Sequence, residues 1–497
     1  MSAISQLALK SSGTSSRPLA VSLGVAGATI ALALVARPLV FAYVVGAAVL
    51  VILSVRHAIT VVIIFTLLVP LMPKLPLIPI GGYLVPIRVE DVFLSYALCV
   101  VILKSVWEQR FRLPAPLTGS MLAFVAVQGV SLAFAMCFLD TISQPTIAML
   151  YCLRSLEYFS ASLLCLVAVR NWNQFRFVLI ALAASVLLVG VYGVLQELSL
   201  VPAFDAMHQT GEIMQVYFFP SFQGDRLLST FAGPYDLAAF YVIAIPILLS
   251  WLLVSRSKVA RAAIGITIGV SVFCMYLTFA RGPLLGLAIA LLVCMSLLGR
   301  RRAAVVLAWS LPFAAFLVPE FRSRLNGLID DPMGFQNWGG RLDWGWRSAL
   351  VSFAHSPILG TGPSSLNNGL GVDSLYLLLL GSFGIVGLVA FIVLTSKTLE
   401  LEYSAFAASR CTQLRAVCAG LAGATAGMLV IGITQEVFLS SKDALLFWFL
   451  VGLMLAGMFL ERSSPNRASS SRPAQCLSAG ATGGTKILPM GPSAFER

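Results

Sequence analysis

Apolar runs of about 17–25 residues recur along the chain, parted by short polar breaks, as helices that cross a bilayer require. The pattern predicts about fourteen spans, near 19–36, 38–55, 58–73, 91–105, 117–138, 155–169, 177–197, 237–255, 262–280, 283–299, 303–319, 373–396, 416–434 and 443–460. Arg37 alone separates the first two, which therefore form a tight hairpin. Two connections are long, about 198–236 and 320–372, and both carry aromatics and turn glycines, so neither is low-complexity. Long loops in an otherwise tight bundle are functional or disordered. The fold class expected is an all-α polytopic membrane protein with two long outer loops. Residues 1–18 form a cytoplasmic segment, 19–460 the membrane domain and 461–497 a disordered Ser/Gly/Pro-rich cytoplasmic tail.

Composition fits this class. The chain of 497 residues is 59% hydrophobic and only 11% charged, too few charges to coat a soluble protein of that size. Its net charge of +12 would suggest nucleic acid in a soluble domain. Here the basic residues sit in short loops, and topology accounts for them. With the N-terminus cytoplasmic, 22 of the 33 Lys and Arg fall inside, anchored by Arg300-Arg301-Arg302 and by Arg256 to Arg261. Both termini are then cytoplasmic. The first apolar run is followed at once by others, which predicts a first span and not a cleaved signal. Eight of the nine cysteines lie in or beside apolar runs without CxxC or Cys/His spacing, so neither a disulfide framework nor a metal site is expected.

Three stretches carry candidate chemistry. The first long loop ends GDRLLSTFAGPYDLAAFY, with Arg226 just before a span and Pro234 and Asp236 at its entry. Asp236 reads as an N-cap and Arg226 as an interfacial anchor. Next, Arg281-Gly282-Pro283 interrupts apolar sequence from about 262 to 299. An arginine there is costly unless paired or hydrated, and it is a functional candidate as well as a turn marker. The third stretch is Arg341 to Val393, whose polar half, with Arg341, Arg347, Trp344, Trp346 and His355, drops directly into an apolar span opening at Asp373-Ser374. Arg341 and Arg347 can converge on a diphosphate with Arg226 and Arg281. The tryptophans read as an interfacial belt or as stacking platforms for sugars, and His355 as a loop residue. Asp373 can cap the helix, accept a proton from a substrate hydroxyl, or both. Glycines 381–387 permit close helix packing or a groove for a lipid tail. Lys442-Asp443 reads as an interfacial cap, and Glu157 as a partner for Arg154.

In order and topology these pieces resemble the O-antigen ligase and polymerase superfamily of bacterial surface-polysaccharide assembly. The resemblance rests on Arg226-x-x-x-Thr230-Phe231-x-x-Pro234, on Ala280-Arg281-Gly282, on Gly340-Arg341 with Trp346 and Ala349, on Pro357 to Gly362, and on Ser374, Tyr376, Leu377, Gly384 and Gly387. It covers roughly 175–460. It implies a GT-C-like fold and a metal-independent glycosyltransferase without cofactors in the bacterial inner membrane. The donor is an undecaprenyl-diphosphate-linked oligosaccharide, with other polysaccharide-assembly proteins as possible partners. On that reading Asp373 and Arg281 are catalytic, and Arg226, Arg341 and Arg347 bind the diphosphate. Trp344, Trp346 and Tyr376 contact sugar. Ligases of the family carry a histidine where Asp373 stands, and that departure favours a polymerase acting on a second lipid-linked repeat unit. Ligase-type transfer to a lipid or protein acceptor, and a polysaccharide flippase, are the alternatives.

Overall fold

The computed structural model describes residues 58–72, 76–78, 87–107, 115–201, 226–231, 233–317, 319–331, 339, 341–363, 365–366, 372–439 and 441–463. The spans expected at 19–36 and 38–55, most of the first long loop and the tail beyond 463 lie outside the described residues. The chain divides at Val61 into two compact units, and only the opening turn of one helix, Ala58–Val61, is described from the first. The bundle belongs to the second unit, Val62–Arg497.

The described elements are α1 (Ala58–Leu71), a two-stranded antiparallel ribbon of β1 (Pro76–Ile78) and β2 (Ile87–Arg88), α2 (Val89–Trp107), α3 (Ala115–Phe134), α4 (Pro145–Ala168), α5 (Trp172–Glu197), α6 (Pro234–Val254), α7 (Lys258–Leu277), α8 (Arg281–Leu297), α9 (Arg301–Leu317), α10 (Pro319–Asp330), α11 (Arg347–His355), α12 (Leu375–Ala408), α13 (Thr412–Ile431) and α14 (Ser441–Ser463). Eight of the described helices are long and apolar enough to cross a membrane, and the chain is a multi-pass membrane protein.

Two boundaries differ from the sequence pattern. The span expected at 155–169 starts at Pro145, and Arg154 lies inside it. Proline suits a first helical turn, where its missing N–H is not needed, and Arg154 is tolerated because Asp91 of α2 stands 4.0 Å away. The span expected at 373–396 continues to Ala408, its added turns carrying an exposed Lys397–Glu400 pair on the surface. The long connection after α9 is also not an open loop. It contains α10, a π-helical turn over Arg341–Trp346, and α11.

The centre of the bundle is α13, packed on α6 and α8. Small residues make this approach possible: a Cβ added to Gly427 would lie 2.7 Å from the Gly286 carbonyl oxygen, and one on Gly420 would lie 2.5 Å from Ile247 Cα. In a bilayer, where lipid is as apolar as leucine, such close backbone contact replaces the hydrophobic effect as the source of helix association.

One span is broken. Gly384 in α12 has φ 65°, a conformation that side-chain-bearing residues avoid. The break frees backbone groups that lipid could not satisfy. The segment Pro357–Gly362 supplies partners. Thr361 N and Gly362 N donate to Gly381 O and Ser382 O at 3.0 and 2.9 Å, while Ile385 N and Val386 N donate to Pro357 O and Ile358 O at 2.9 and 3.2 Å. Ser131 of α3 donates to Leu359 O at 2.6 Å, and Thr141 to Thr361 O at 2.7 Å. The glycines at 381–387 thus serve a backbone clasp, and the clasp sets the direction in which the first turns of α12 point.

Candidate functional site

Arg226 precedes a tight turn that leads into α6. Four neighbours fix that turn. Leu227 N donates to Leu277 O at 3.1 Å, and Gln196 Oε1 accepts from Ser229 N at 2.8 Å. Ser229 Oγ donates to Val189 O, and Thr230 Oγ1 to Pro70 O, both at 2.7 Å. Ser229 has φ 51°, and Phe279, two residues before Arg281, has φ 50°. Non-glycine residues in this region are strained and persist only where their surroundings hold them. The Leu227–Leu277 bond stitches the two turns together, so the strained segments that carry Arg226 and Arg281 form one unit.

Arg281 opens α8 beside Thr434, which a Cβ on Gly282 would approach to 2.6 Å. Arg341 begins the π-helical turn. Its Nε lies 3.7 Å from Asp373 Oδ2, and its Nη1 donates to Thr434 O at 3.5 Å. The N-cap of α12 is Ser374, whose side chain accepts from Leu377 N, so Asp373 stands just outside the helix and is not its cap. The same holds at α6, where Gly233 is the N-cap and Asp236 lies in the first turn.

These groups meet around Tyr235. Its ring centroid is 5.5 Å from Arg226 Cζ. Tyr235 also lies within electrostatic reach of Arg281, Arg341 and Asp373, and Arg281 feels both Arg226 and Arg341. Three half-buried guanidiniums therefore share one end of the bundle with one carboxylate paired to Arg341. Arg226 Nε is buried without a hydrogen-bond partner among the described residues, and so is Gln435 Oε1. Burial raises the Asp373 carboxyl above its ordinary value, and the Arg341 guanidinium opposes that rise.

The remaining candidate residues have the following surroundings. Arg347 is exposed on the first turn of α11. Trp346 packs on the small core of Ala349, Leu366 and Val372 beneath the loop. The Tyr376 hydroxyl donates to Leu429 O at 2.6 Å, tying α12 to the end of α13. His355 is exposed at the end of α11. The Trp344 side chain lies outside the described residues.

The sequence pattern does not single out Tyr235, Thr434 or Gln435. Tyr235 is hidden between Pro234 and Asp236, which mark the helix entry. A signal exists for the other two, since Thr434-Gln435-Glu436 is a polar triplet ending an apolar span. Lys442 and Asp443 are not interfacial caps. They are 2% and 0% exposed, inside the bundle, because the polar turn around Thr230 and the end of α1 give the lysine buried carbonyls to bind. Among the described residues, no cluster of three or more His, Cys, Asp or Glu has the proximity to hold a metal ion.

No curated protein matches the chain. The family model described as O-antigen ligase matches residues 266–392, the central part of the stretch that carries the resemblance, including Arg281, Arg341 and Asp373 but not Arg226 or Tyr235. Over that stretch the chain is similar to the O-antigen ligase family, which supports membership of the O-antigen ligase and polymerase superfamily.

Proposed function

We propose that this protein is a polysaccharide polymerase of the bacterial inner membrane. It transfers a glycan from undecaprenyl diphosphate to a hydroxyl of a second lipid-linked repeat unit at the outer face. The observation that carries the reading is the convergence of Arg226, Arg281 and Arg341 around Tyr235, with Asp373 at their edge. Guanidiniums gathered at one place suit a multiply charged anion, and their forked donors match phosphate oxygens.

In the transfer, the acceptor oxygen forms a bond to the anomeric carbon while the bond from that carbon to the diphosphate breaks. The electron pair leaves with undecaprenyl diphosphate, and the acceptor proton goes to Asp373. The leaving group needs charge neutralisation more than a proton. Preorganised arginines provide it where charge develops, with little reorganisation during the reaction. Arg341 opposes the effect of burial on the Asp373 carboxyl and so favours the ionised form a base needs. The lipid anchors the donor at the bilayer surface. A site at one end of the bundle meets that requirement, and the positive-inside count supports placing this end outside.

The description of the matched family favours a second reading, transfer to a lipid or protein acceptor. The two are separated with purified protein in lipid, supplied with undecaprenyl-diphosphate-linked repeat units. Growing glycan chains with release of undecaprenyl diphosphate, lost in Arg281→Ala and Asp373→Ala, support the polymerase. Product only when a separate lipid or protein acceptor is added replaces it with the ligase. Passage of cargo across vesicles without turnover overturns both and leaves a flippase.

A further inference from the structure

We propose that Lys442 is a positioning residue for the diphosphate site, holding the Arg226 turn in the shape that aims its guanidinium at the anion. The inference rests on the anion-site reading above. Lys442 opens α14, far from Arg226 in sequence, and it is 2% exposed. Its Nζ donates to Thr230 O at 2.9 Å and to Pro70 O at 3.4 Å, and lies 4.5 Å from the centroid of the Phe231 ring. One ammonium thus joins three parts of the bundle: the end of α1, the start of α14 and the turn between Arg226 and α6. A buried ammonium is expensive, and it persists only where carbonyls and an aromatic face replace its water.

What it holds is a strained element. The turn contains Ser229 in the left-handed region, and Pro70 O receives Thr230 Oγ1 as well as Lys442. Without the ammonium, two carbonyls aimed at one another's space lose their shared donor, and the turn has reason to relax. Arg226 sits four residues before Thr230; its guanidinium bonds the Tyr235 side chain, and its Nε has no hydrogen-bond partner among the described residues. Its alignment therefore depends on the turn as well as on Tyr235, and Lys442 adds to the four ties that hold the turn the one that joins it to α14. Lys442 does not touch the anion in this arrangement, since its donors are engaged below the turn.

The experiment is a double-mutant cycle read by binding, not turnover. Affinity for undecaprenyl diphosphate is measured on detergent-purified protein by native mass spectrometry for wild type, Lys442→Met, Arg226→Ala and the double variant. Lys442→Met keeps length and removes charge. It should weaken binding by about tenfold, close to the effect of Arg226→Ala, and the double variant should bind no more weakly than Arg226→Ala alone. Losses that add would overturn the positioning role, as would wild-type affinity in Lys442→Met. Absence of binding in the wild type would instead sink the anion-site reading, and the inference with it. If Lys442→Met does not fold, judged by its size-exclusion profile and melting curve, Thr230→Val enters the same cycle. It keeps the side-chain shape, removes the tie to Pro70 O, and should show the same non-additivity with Arg226→Ala on a smaller scale.

Discussion

At one end of the bundle Arg226, Arg281 and Arg341 are half-buried around a single tyrosine. At the other end Arg256, Arg300, Arg301, Arg302 and Arg410 stand exposed in short turns. The exposed set has ordinary company. Lys397 pairs with Glu400 at 2.7 Å in the open, and the Glu461 carboxylate caps Arg410 N and Cys411 N, at 2.6 and 3.2 Å. Water screens such charges, so their positions cost little and their mutual repulsion is small. The gathered set has partial burial, like charges as neighbours, and strained turns beneath two of its three members. On the proposed reading, the mutual repulsion of such a set is relieved when an anion binds. Basic residues are frequent at both ends, but among the described residues the first set is half-buried and the second exposed, and on the proposed reading that difference separates a site from an anchor.

The sharpest way to break the comparison is to remove charge from the gathered end. Arg281→Ala should lower turnover of lipid-linked repeat units by about 10²–10³-fold, the scale for losing one preorganised donor to a developing anion. Asp373→Asn should fall in the same range if the carboxylate takes the acceptor proton. A steady-state assay with purified variants checks both, and activity within a few-fold of wild type in either would remove that residue from the chemistry. Gly384→Ala acts on the frame instead. A methyl group there meets the Ile358 carbonyl while φ stays at 65°. The expected cost is roughly 2–4 kcal/mol, read as a lowered melting temperature in detergent. A variant that melts like wild type would mean that the clasp does not hold the broken span.

Much of this is written in the chain. Uniform apolar runs carry the membrane class, and Arg226, Arg281, Arg341 and Asp373 stand out because they lie at span mouths on the side where basic residues are fewer. Their convergence is not legible, because it depends on which helices are neighbours, and a helix that is apolar all round names no partner face. Tyr235 joins the site only when α6 comes to lie beside α8. Lys442 misleads for a related reason. A lysine at the start of a span is ordinarily interfacial, and nothing local shows that Thr230 and Pro70 bring buried carbonyls to it. Asp373 is half-legible: position gives its place before α12, but the neighbouring Ser374 takes the cap and leaves the carboxylate for Arg341.

A smaller effect sharpens the contrast at its edge. Burial raises the Asp373 carboxyl and Arg341 opposes that rise. A base must be ionised, so turnover should fall as pH drops through the pKa of Asp373, on a limb above the ordinary carboxylate value of about 3.9. Arg341→Gln removes the lowering charge, and the acid limb of kcat/KM should then move upward. A limb that stays in place, or moves down, would show that Asp373 is not the titrating group.

The smallest expected effect tests the other half of the comparison. Arg301→Ala, at the exposed end, should leave turnover within about twofold of wild type, since a solvated charge there contributes little beyond its own hydration. The same residue still matters collectively. Replacing Arg300, Arg301 and Arg302 together removes the strongest cluster that biases the chain's orientation, and reporter fusions on either side of α9 should then show mixed topology. The two outcomes belong together: a charge that acts as an anchor is dispensable one at a time and felt in sum, whereas a charge that acts on a substrate is felt singly. If Arg301→Ala alone abolished turnover, the exposed end would have to hold a second site, and the division between anchor and site would fail.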